Sequence, residues 1–409
     1  MAIKARLPFL LLSSLFLASL SVSSAWSSDS LMIVNAGRLL FTLMYPDHTE
    51  SYKLQPKDVL ILPAGALAYV ANLDDEETFE VMHLVIPLNI PGQFSDVFPG
   101  AQKSPRAFYH GFSNQTLEAA FNSSITEIQK ALLGEKEEDL KPDVLMEISK
   151  ELIEELSQGA KSSNDSGLPP SAPFNLGNYL IYSNDYAKVW EALPNLVPNI
   201  EEFGVAVTLT ELNKSSLLLP HINSKGWVVA YVIEGAGLLE IAAPWRKDED
   251  SPEYGQIQAF FSNLSAGDAF VIPPGYPFAV SSSSDSTLGI LGFIINSEKN
   301  KRIFAAGVRD NVVNQIGDIA KPLIFTGTAE QVTKLLENQK GSYIVSNGTS
   351  YYLFDYFKYF NIERLRSNKH IHVPNVLVNF LLQFHHQRFP AANPSTELVA
   401  INVTANHTA

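Results

Sequence analysis

The fold is decided by residues 217–296, where LLLPHINSKGWVVAYVIEGAGLLEI (217–241), LSAGDAFVIPPGYPFAV (264–280) and LGILGFIIN (288–296) are apolar runs broken by Gly and Pro. Short runs rich in Val, Ile, Leu and aromatic residues, with turn signals at this spacing, are typical of an all-β sandwich or barrel. The segment Glu234-Gly235-Ala236-Gly237 is predicted to be a β-turn. We therefore predict strands at residues 217–219, 227–233, 238–242, 269–272, 278–281 and 288–295.

The first half of the chain repeats this arrangement, and each set of strands is followed by segments with a helical period. Ser113 or Asn114 is placed to cap the first helix, and Thr328 with Gln331 has the form of a capping box. The predicted fold class is therefore mainly β with helices, as two barrels that are each followed by a helical extension. The predicted first-half strands are residues 31–34, 38–44, 51–54, 58–62, 67–71 and 79–86, and the predicted helices are residues 117–132, 145–156, 309–316 and 328–339.

The spacing of residues in the second half resembles the paired signature of the cupin barrel, the double-stranded β-helix or jelly roll. Gly267, Pro273 and Gly275 match its second motif, G-x5-P-x-G-x2-H-x3-N, and His221 and Gly235 match the first. A metal-binding cupin holds a divalent ion with three His and one Glu. The resemblance thus implies where four ligands would stand.

Most of those ligand positions carry residues that cannot bind a metal. His221 stands at the first His position, Asn223 at the second and Phe278 at the third, while the Glu position falls on Trp227 or Val228. One ligand of four remains. We therefore predict no catalytic residue, no cofactor and no metal, with His221 as a vestige, and we expect the interior of this barrel to be dry and apolar.

The N-terminal half has a weaker copy of the second cupin motif. Pro63-Ala64-Gly65 and Asn72 fit it, with Lys57 at its Gly and Ala68 at its His. The first motif would lie before Leu31, where a signal peptide is predicted, so the opening strands are expected to be missing. Because an open barrel exposes a strand edge, either another segment or a neighbouring subunit covers the gap, or this half folds poorly.

Composition excludes several classes of protein. The chain has 409 residues, enough for two domains, and its net charge of -14 argues against nucleic acid or an anionic membrane as a partner. It contains no Cys, which excludes thiol catalysis and cysteinyl metal sites. No serine lies in a G-x-S-x-G elbow. These observations favour a non-enzymatic globular protein.

The first 25 residues have the form of a secretory signal peptide, with Lys4 and Arg6, an apolar run at 9–20 and small residues at 23–25. We predict passage through the secretory pathway and no membrane association after cleavage. Of the Asn-x-Ser/Thr sequons, we expect two or three to be glycosylated, and the candidates are Asn164, Asn263 and Asn114.

An ordered series of separate motifs identifies a more specific resemblance. The motifs are NIPGQF (89–94), GFS (111–113), LEAAF (117–121), PFNL (173–176), YSN (182–184), LLLPHINSK (217–225) and DNVVNQI (310–316). Over roughly residues 31–345 the chain resembles the vicilins, the bicupin 7S seed storage globulins of plants. The resemblance implies a nutrient reserve sent to the protein storage vacuole or outside the cell, and a homotrimer in which helices clamp the next subunit.

Five segments follow from these patterns. They are a signal peptide (1–25), an incomplete N-terminal cupin barrel with helices (26–160), a linker (161–172), a C-terminal cupin barrel with helices (173–345) and an atypical tail (346–409). The tail contains His370, His372, His385 and His386 without a nearby carboxylate or Cys, and we predict that it is not a metal site.

Three functions remain open on the sequence. A storage globulin without catalytic activity is favoured, because a storage protein does not need the metal-binding side chains that this chain lacks. A metal-free bicupin that binds a small ligand or sugar, as the sucrose-binding vicilin-like proteins do, is the alternative. A metal-dependent oxidase or isomerase comes third, against the ligand positions given above.

Overall fold

The computed structural model describes residues 19–26, 28–74, 77–87, 96–97, 108–133, 145–169, 171–201, 203–244, 257–348, 381–387 and 396–402. The chain forms two compact units. The N-terminal unit contains the described residues from 19 to 175 and from 381 to 402, and the C-terminal unit contains those from 176 to 348. Strands dominate both units, so the predicted mainly-β class is confirmed.

The N-terminal unit consists of short strands in two sheets. The first has the order β10-β4-β3-β6-β1-β8 with β9 also on β1, and the second contains β11-β5-β2-β7. The strands are β1 (Ser19–Trp26), β2 (Ser28–Ala36), β3 (Leu39–Met44), β4 (Thr49–Leu54), β5 (Asp58–Leu62), β6 (Leu67–Asn72), β7 (Glu80–Pro87), β8 (Asp96–Val97), β9 (Leu145–Glu147), β10 (Lys161–Ser162) and β11 (Phe174–Asn175).

The core of this unit lies on both faces of β3. Leu39, Phe41 and Leu43 point into the main cluster, which also contains Tyr52. Leu40, on the opposite face, packs in a smaller cluster against Ala71 and Ile148. Because successive side chains of a strand point to opposite faces, burial on both faces requires a nearly continuous apolar run. This explains why residues 39–44 do not alternate with polar residues.

The predicted helix over residues 117–132 is broken. Helix α1 (Asn114–Phe121) starts after Ser113, whose Oγ accepts a hydrogen bond from the Thr116 N–H, so Ser113 is the N-cap. It stops at Asn122, which is left-handed with φ 48°. Ser124 and Glu127 then form a capping box that starts α2 (Ile125–Ile128), and a π-helical turn follows at Gln129–Leu133. Local capping thus divides the predicted helix in two, although the apolar residues continue at helical spacing.

The predicted helix over residues 145–156 is wrong in its first part. Residues Leu145–Glu147 form β9 and pair with β1, and α3 (Lys150–Leu156) begins only after the N-cap Ser149. The apolar spacing of Leu145 and Ile148 fits a helix, but pairing with a neighbouring strand satisfies the same backbone groups.

Residues 161–172, predicted to be a linker, lie against the N-terminal unit as a strap. Strand β10 pairs in parallel with β4, and β11 pairs antiparallel with β5. The fully buried carboxylate of Asp58 accepts hydrogen bonds of 2.7 Å from the Ser163 hydroxyl and 2.7 Å from the Asn175 side-chain amide. Burial raises the pKa of Asp58, and these hydrogen bonds oppose the rise.

The C-terminal unit is one large sheet that curls on itself, with the order β12-β13-β14-β20-β16-β19-β15-β21; β17 and β18 also pair with β16, and β22 pairs with β15. The strands are β12 (Leu180–Asn184), β13 (Ala187–Ala192), β14 (Val205–Leu212), β15 (Ser216–Asn223), β16 (Trp227–Pro244), β17 (Ile257–Ser265), β18 (Ala269–Ile272), β19 (Phe278–Ser282), β20 (Leu288–Ile295), β21 (Arg302–Phe304) and β22 (Ile344–Ser346). The helices are α4 (Pro198–Glu201), α5 (Lys321–Ile324) and α6 (Ala329–Asn338).

The predicted β-turn at residues 234–237 is wrong, because β16 passes through it as one strand. Residues 227–235 of β16 pair with β20, and residues 236–244 pair with β17. Gly235 has φ +78°, and a register shift lies next to it at Val232 and Glu234. A glycine bulge of this kind bends a strand without reversing it. One strand thereby joins two faces of the barrel.

The helical extension of the C-terminal unit is partly as predicted. The capping box of Thr328 and Gln331 is confirmed at the start of α6. The predicted helix over 309–316 is wrong in extent, since only a 3-10 turn forms at Val312–Gln315. Buried Lys321 holds α5 to α6, with its Nζ 2.7 Å from an Asp318 carboxylate oxygen and 2.5 Å from the Thr333 hydroxyl.

Two segments of the same chain pair with the N-terminal sheets where opening strands were expected to be missing. Strand β1 pairs with β6, and the hairpin of β23 (Leu381–Gln387) and β24 (Thr396–Asn402) pairs with β7. Residues 1–18 of the predicted signal peptide lie outside the described residues, and signal cleavage stays a prediction. Within the described ranges, no helix is both long and apolar enough to cross a membrane.

Candidate functional site

A cavity of about 260 Å³ lies inside the C-terminal barrel. Its walls are mainly apolar and come from strands β14, β15, β16, β19 and β20. Val228, Ala230, Phe278, Val280 and Ile290 are among the lining residues. This is the interior in which a metal-binding cupin would hold its ion, so the former ligand positions can be located in it.

His221, at the first ligand position, lies between two phenylalanines. It is the register partner of Phe278 on β19 and of Phe304 on β21. The ring centroid of His221 is 4.1 Å from that of Phe278 and 5.0 Å from that of Phe304. With 2% of its surface exposed, His221 packs as a core aromatic residue.

The imidazole of His221 is neutral. Its Nδ1 lies 2.9 Å from the Leu219 carbonyl oxygen, and since a carbonyl only accepts, Nδ1 carries the proton and Nε2 the lone pair. The pKa of His221 is lowered from 6.5 to about 3, mainly by burial and also by the charge of Arg302, while the hydrogen bond to Leu219 opposes the shift. The ring is therefore uncharged at neutral pH.

Asn223, at the second ligand position, belongs to a hydrogen-bonded turn. Its Oδ1 accepts from the Asn300 amide at 2.9 Å, and its carbonyl oxygen accepts from the Gly275 N–H at 2.8 Å. Asn300 in turn accepts from the N–H groups of Lys225 and Gly226. The side-chain oxygen of Asn223 therefore ties the loop after β15 to the loop after β20.

The donor set does not fit a divalent metal ion. Val228 and Phe278 offer only hydrocarbon, the Asn223 oxygen is engaged by Asn300, and the Phe278 ring covers one side of His221. In the part of the chain that the structure describes, no three His, Cys, Asp or Glu side chains are grouped so that they could hold a metal. No chemistry through a metal follows from this site.

An ion pair lies at the side of the cavity. Arg302 on β21 donates from Nη2 to Oε1 of Glu191 at 2.9 Å, and its Nη1 lies 3.5 Å from Oε2. Glu191 is nearly fully buried, while the Arg302 side chain keeps 29% of its surface exposed. The guanidinium therefore reaches the cavity with its charge already balanced.

Two residues with left-handed backbone stand together at the cavity edge. Tyr343 has φ 62° and Asp310 has φ 51°, and the Tyr343 hydroxyl donates to the Asp310 carboxylate. This hydrogen bond is the main reason why the pKa of Tyr343 is raised. The Tyr343 ring meets Tyr182 edge-on at 5.3 Å and lies 4.9 Å from Phe304. Aromatic rings therefore frame this end of the cavity.

The predicted apolar interior is confirmed for most of the cavity wall, but the wall also carries polar side chains. His221, Asn223, Thr208, Thr210 and Arg302 line the cavity beside the apolar side chains. Sequence analysis missed Arg302, Asp310 and Tyr343 because none belongs to a cupin motif. Asp310 begins the DNVVNQI run, which contributed to the vicilin resemblance but did not point to this cavity.

The N-terminal barrel keeps the backbone turn of the second cupin motif without its histidine. Lys57, which stands at a motif Gly, adopts φ 75°, as Gly267 adopts φ 90° in the C-terminal barrel. Ala68, at the third His position, is buried in the main cluster. Both halves thus keep the left-handed turn of the motif, although neither has a histidine at the third ligand position.

The candidate glycosylation sites occupy different surroundings. Asn164 lies in an exposed turn of the strap, Asn263 is an exposed residue of β17, and Asn114 is the exposed first residue of α1. Exposure is required for glycosylation but does not establish it, so glycosylation stays a prediction. Of the tail histidines, His370 and His372 lie outside the described residues, and His385 and His386 are on β23.

Sequence comparison relates the chain to known globulins. Residues 174–331 match the model of the Cupin family. Conglutin beta 5 of Lupinus angustifolius is 38% identical over 336 residues, which are 78% of this chain and 52% of the conglutin. Conglutin beta 1 of Lupinus albus is 38% identical over 340 residues, 78% of this chain and 63% of that protein. The chain spans little more than half the length of most of these relatives.

Structural comparison gives the same relationship over both halves. Vicilin of Corylus avellana (hazelnut) superposes with a TM-score of 0.73 and 27% identity, covering 80% of this chain and 86% of that one. A vicilin of Solanum melongena, whose structure holds different anionic ligands in structurally similar pockets, has a TM-score of 0.73, 26% identity and coverage of 80% and 85%. The predicted resemblance is thereby confirmed: the chain carries a cupin domain, is a homologue of the lupin conglutins beta and has the fold of the vicilins.

Proposed function

We propose that this protein is a seed storage globulin of the vicilin type, without catalytic activity. The observation that carries the proposal is the 38% identity to lupin conglutins along 78% of the chain, together with the vicilin fold. A reserve protein needs a dense core and solubility, and it needs no reactive site. The net charge of -14 favours solubility.

The former ligand site supports a non-enzymatic role. His221, Asn223 and Phe278 each serve packing or local hydrogen bonding in the C-terminal barrel. Nothing in this arrangement activates a nucleophile or positions an acid and a base on a reacting group. Loss of ligands without loss of the barrel is expected where only the fold is selected.

The storage proposal is tested by measuring the abundance of the protein during seed development and germination. Quantitative mass spectrometry of peptides from residues 217–296 should show accumulation during seed filling and loss during germination, parallel to the other globulins. A protein that stays at constant low abundance in leaf and seed would contradict storage.

We propose a homotrimer as the assembled form. Apolar side chains stand exposed on the helical extension after the C-terminal barrel, where Ile319 is 91%, Leu323 83% and Leu335 69% exposed. The helices of the N-terminal unit likewise expose Phe121 on α1 and Leu152 on α3. Exposed apolar clusters of this kind mark protein interfaces, and in the trimer that the resemblance to vicilins implies a neighbouring subunit would cover them.

Light scattering after size exclusion tests the assembly. The unaltered protein should have three times the chain mass, and Leu323→Glu should reduce it to single chains. Ile257→Glu, on exposed residue Ile257 of β17, is the matched control and should leave the trimer intact. Single chains in the unaltered protein would overturn the trimer without bearing on storage.

The route through the secretory pathway to a storage vacuole belongs to the same proposal. The charged start and apolar run of residues 1–25 support it, as do the exposed sequons at Asn164, Asn263 and Asn114. Intact-mass analysis before and after endoglycosidase treatment tests glycosylation, and N-terminal sequencing of seed protein tests cleavage.

A metal-free ligand-binding protein is the alternative function, and the cavity of about 260 Å³ is the observation that favours it. A sugar fits it poorly, because the walls are mainly apolar and a sugar needs many polar partners. Anionic ligands, as in the Solanum melongena vicilin, would need a free positive charge. Storage therefore remains the better-supported proposal.

A further inference from the structure

The cavity of the C-terminal barrel has the size and walls of a small-molecule site. A cavity of about 150 Å³ lined by apolar side chains can hold benzene. The cavity of about 260 Å³ has room for an aromatic ring with a short chain. Phe278 and Val280 are buried in its wall, and Tyr182 and Tyr343 stand at its edge.

The positive charge of Arg302 beside the cavity is already balanced within the protein, because Arg302 donates to Glu191 at 2.9 Å. The Asp310 carboxylate accepts only from the uncharged hydroxyl of Tyr343. An anionic ligand would therefore meet a neutralised guanidinium on one side and a carboxylate on the other. The electrostatics therefore favour an uncharged ligand.

One polar side chain of the wall can accept a hydrogen bond. His221 uses Nδ1–H on Leu219, which leaves Nε2 as an acceptor, and within the described residues Nε2 has no hydrogen-bond partner. Desolvation keeps the ring neutral, so Nε2 does not become a donor at ordinary pH. The group that complements an unpaired acceptor in a mainly apolar wall is a hydroxyl donor.

We infer that the C-terminal barrel binds a small uncharged alcohol or phenol, with its apolar body against Phe278 and Val280 and its hydroxyl donated to His221 Nε2. The site does not depend on storage and could operate in a globulin of any role.

The test uses the full chain and three probes of similar shape: 2-phenylethanol, phenylacetate and propylbenzene. Dissociation constants from saturation-transfer NMR or calorimetry are compared at pH 7. We expect 2-phenylethanol to bind at least fivefold more tightly than phenylacetate. Phenylacetate binding as tightly as, or more tightly than, the alcohol would overturn the inference, as would absence of binding by 2-phenylethanol.

Variants locate the hydroxyl and the cavity. His221→Phe keeps an aromatic ring but removes the acceptor, so the preference for 2-phenylethanol over propylbenzene should fall roughly fivefold to tenfold, the equivalent of one hydrogen bond. His48→Phe makes the same change at an exposed histidine of the N-terminal unit and should change nothing. An unchanged preference in His221→Phe would rule out His221 as the acceptor.

A second variant keeps the test decisive if His221→Phe does not fold. Ala230→Leu adds three carbons to the cavity wall and should weaken both 2-phenylethanol and propylbenzene at least fivefold. Unchanged binding in a folded Ala230→Leu protein would place the probes elsewhere and overturn the site. Circular dichroism and elution volume establish that each variant is folded.

Discussion

The ring of Phe278 packs against the imidazole of His221, with the two ring centroids 4.1 Å apart and the residues paired directly across β15 and β19. In a cupin these two positions would both carry metal-binding histidines. The pairing across strands that would bring two ligands to one ion here brings an aromatic ring onto a buried imidazole. The same geometry thus serves packing in place of coordination.

Because Phe278 packs against His221, removal of the Phe278 ring is expected to cause a large loss of stability. Phe278→Ala should lower the free energy of unfolding by about 3–5 kcal/mol, the range for a buried Phe. Phe112→Ala, at a residue that is 51% exposed, is the control and should change it by less than about 1 kcal/mol. Equilibrium denaturation with guanidinium measures both, and equal losses would mean that Phe278 is not in the core.

The depressed pKa of His221 predicts a pH dependence of stability. An unfolded His takes up a proton near pH 6.5, but the folded ring does so only near pH 3, so its contribution is full above 6.5 and is lost as the pH falls toward 3. Below pH 6.5 the slope approaches about 1.4 kcal/mol per pH unit.

His221→Phe should therefore lose less stability between pH 7 and pH 4 than the unaltered protein, by about 3 kcal/mol. Denaturation curves at the two pH values give this difference. The exposed-site variant His48→Phe corrects for general effects of removing a histidine. Parallel curves for His221→Phe and the unaltered protein would show that the folded ring titrates normally.

The bend in β16 predicts that substitution of Gly235 and of Gly267 by Ala will reduce stability by different amounts. A Cβ on Gly235 would lie 1.6 Å from the Thr287 carbonyl oxygen, whereas a Cβ on Gly267 would meet nothing within 4 Å. Both glycines have positive φ, at 78° and 90°. Gly267→Ala thus isolates the conformational penalty, about 1–2 kcal/mol, and Gly235→Ala adds the clash, for a total of about 4 kcal/mol or more. Similar losses for the two variants would contradict a single continuous β16.

The ion pair of Arg302 and Glu191 predicts non-additive effects. Arg302→Met leaves the nearly buried Glu191 unpaired and should reduce stability by about 2–3 kcal/mol, less than for a fully buried pair because Arg302 is partly exposed. The double variant with Glu191→Met should recover part of that loss. A double-mutant cycle measures the coupling, and additive single effects would show that the pair is not maintained in solution.

Periodicity and turn residues act locally, and they located β2–β7 of the N-terminal unit and β15, β16, β18, β19 and β20 of the C-terminal unit. They did not indicate β12, β13, β14 or β17. Gly267 and Lys57 mark the same left-handed turn in the two halves, and the former ligand positions followed from motif spacing. Ser113 and Thr328 were identifiable as caps from their side-chain chemistry. These features depend on residues within a few positions of each other.

Tertiary contacts decided the rest. Leu145 has a helical spacing but lies in a strand because β1 pairs with it. Position 235 requires glycine because the Thr287 carbonyl oxygen lies where a Cβ would stand. Arg302 and Tyr343 reach the cavity of the barrel from outside every motif. A local sequence pattern reflects only the periodicity of its own segment. Residues distant in sequence determine whether backbone groups pair and which side chains enclose the cavity. Because this pairing is long-range, the residues that form the cavity could be identified only from the tertiary structure.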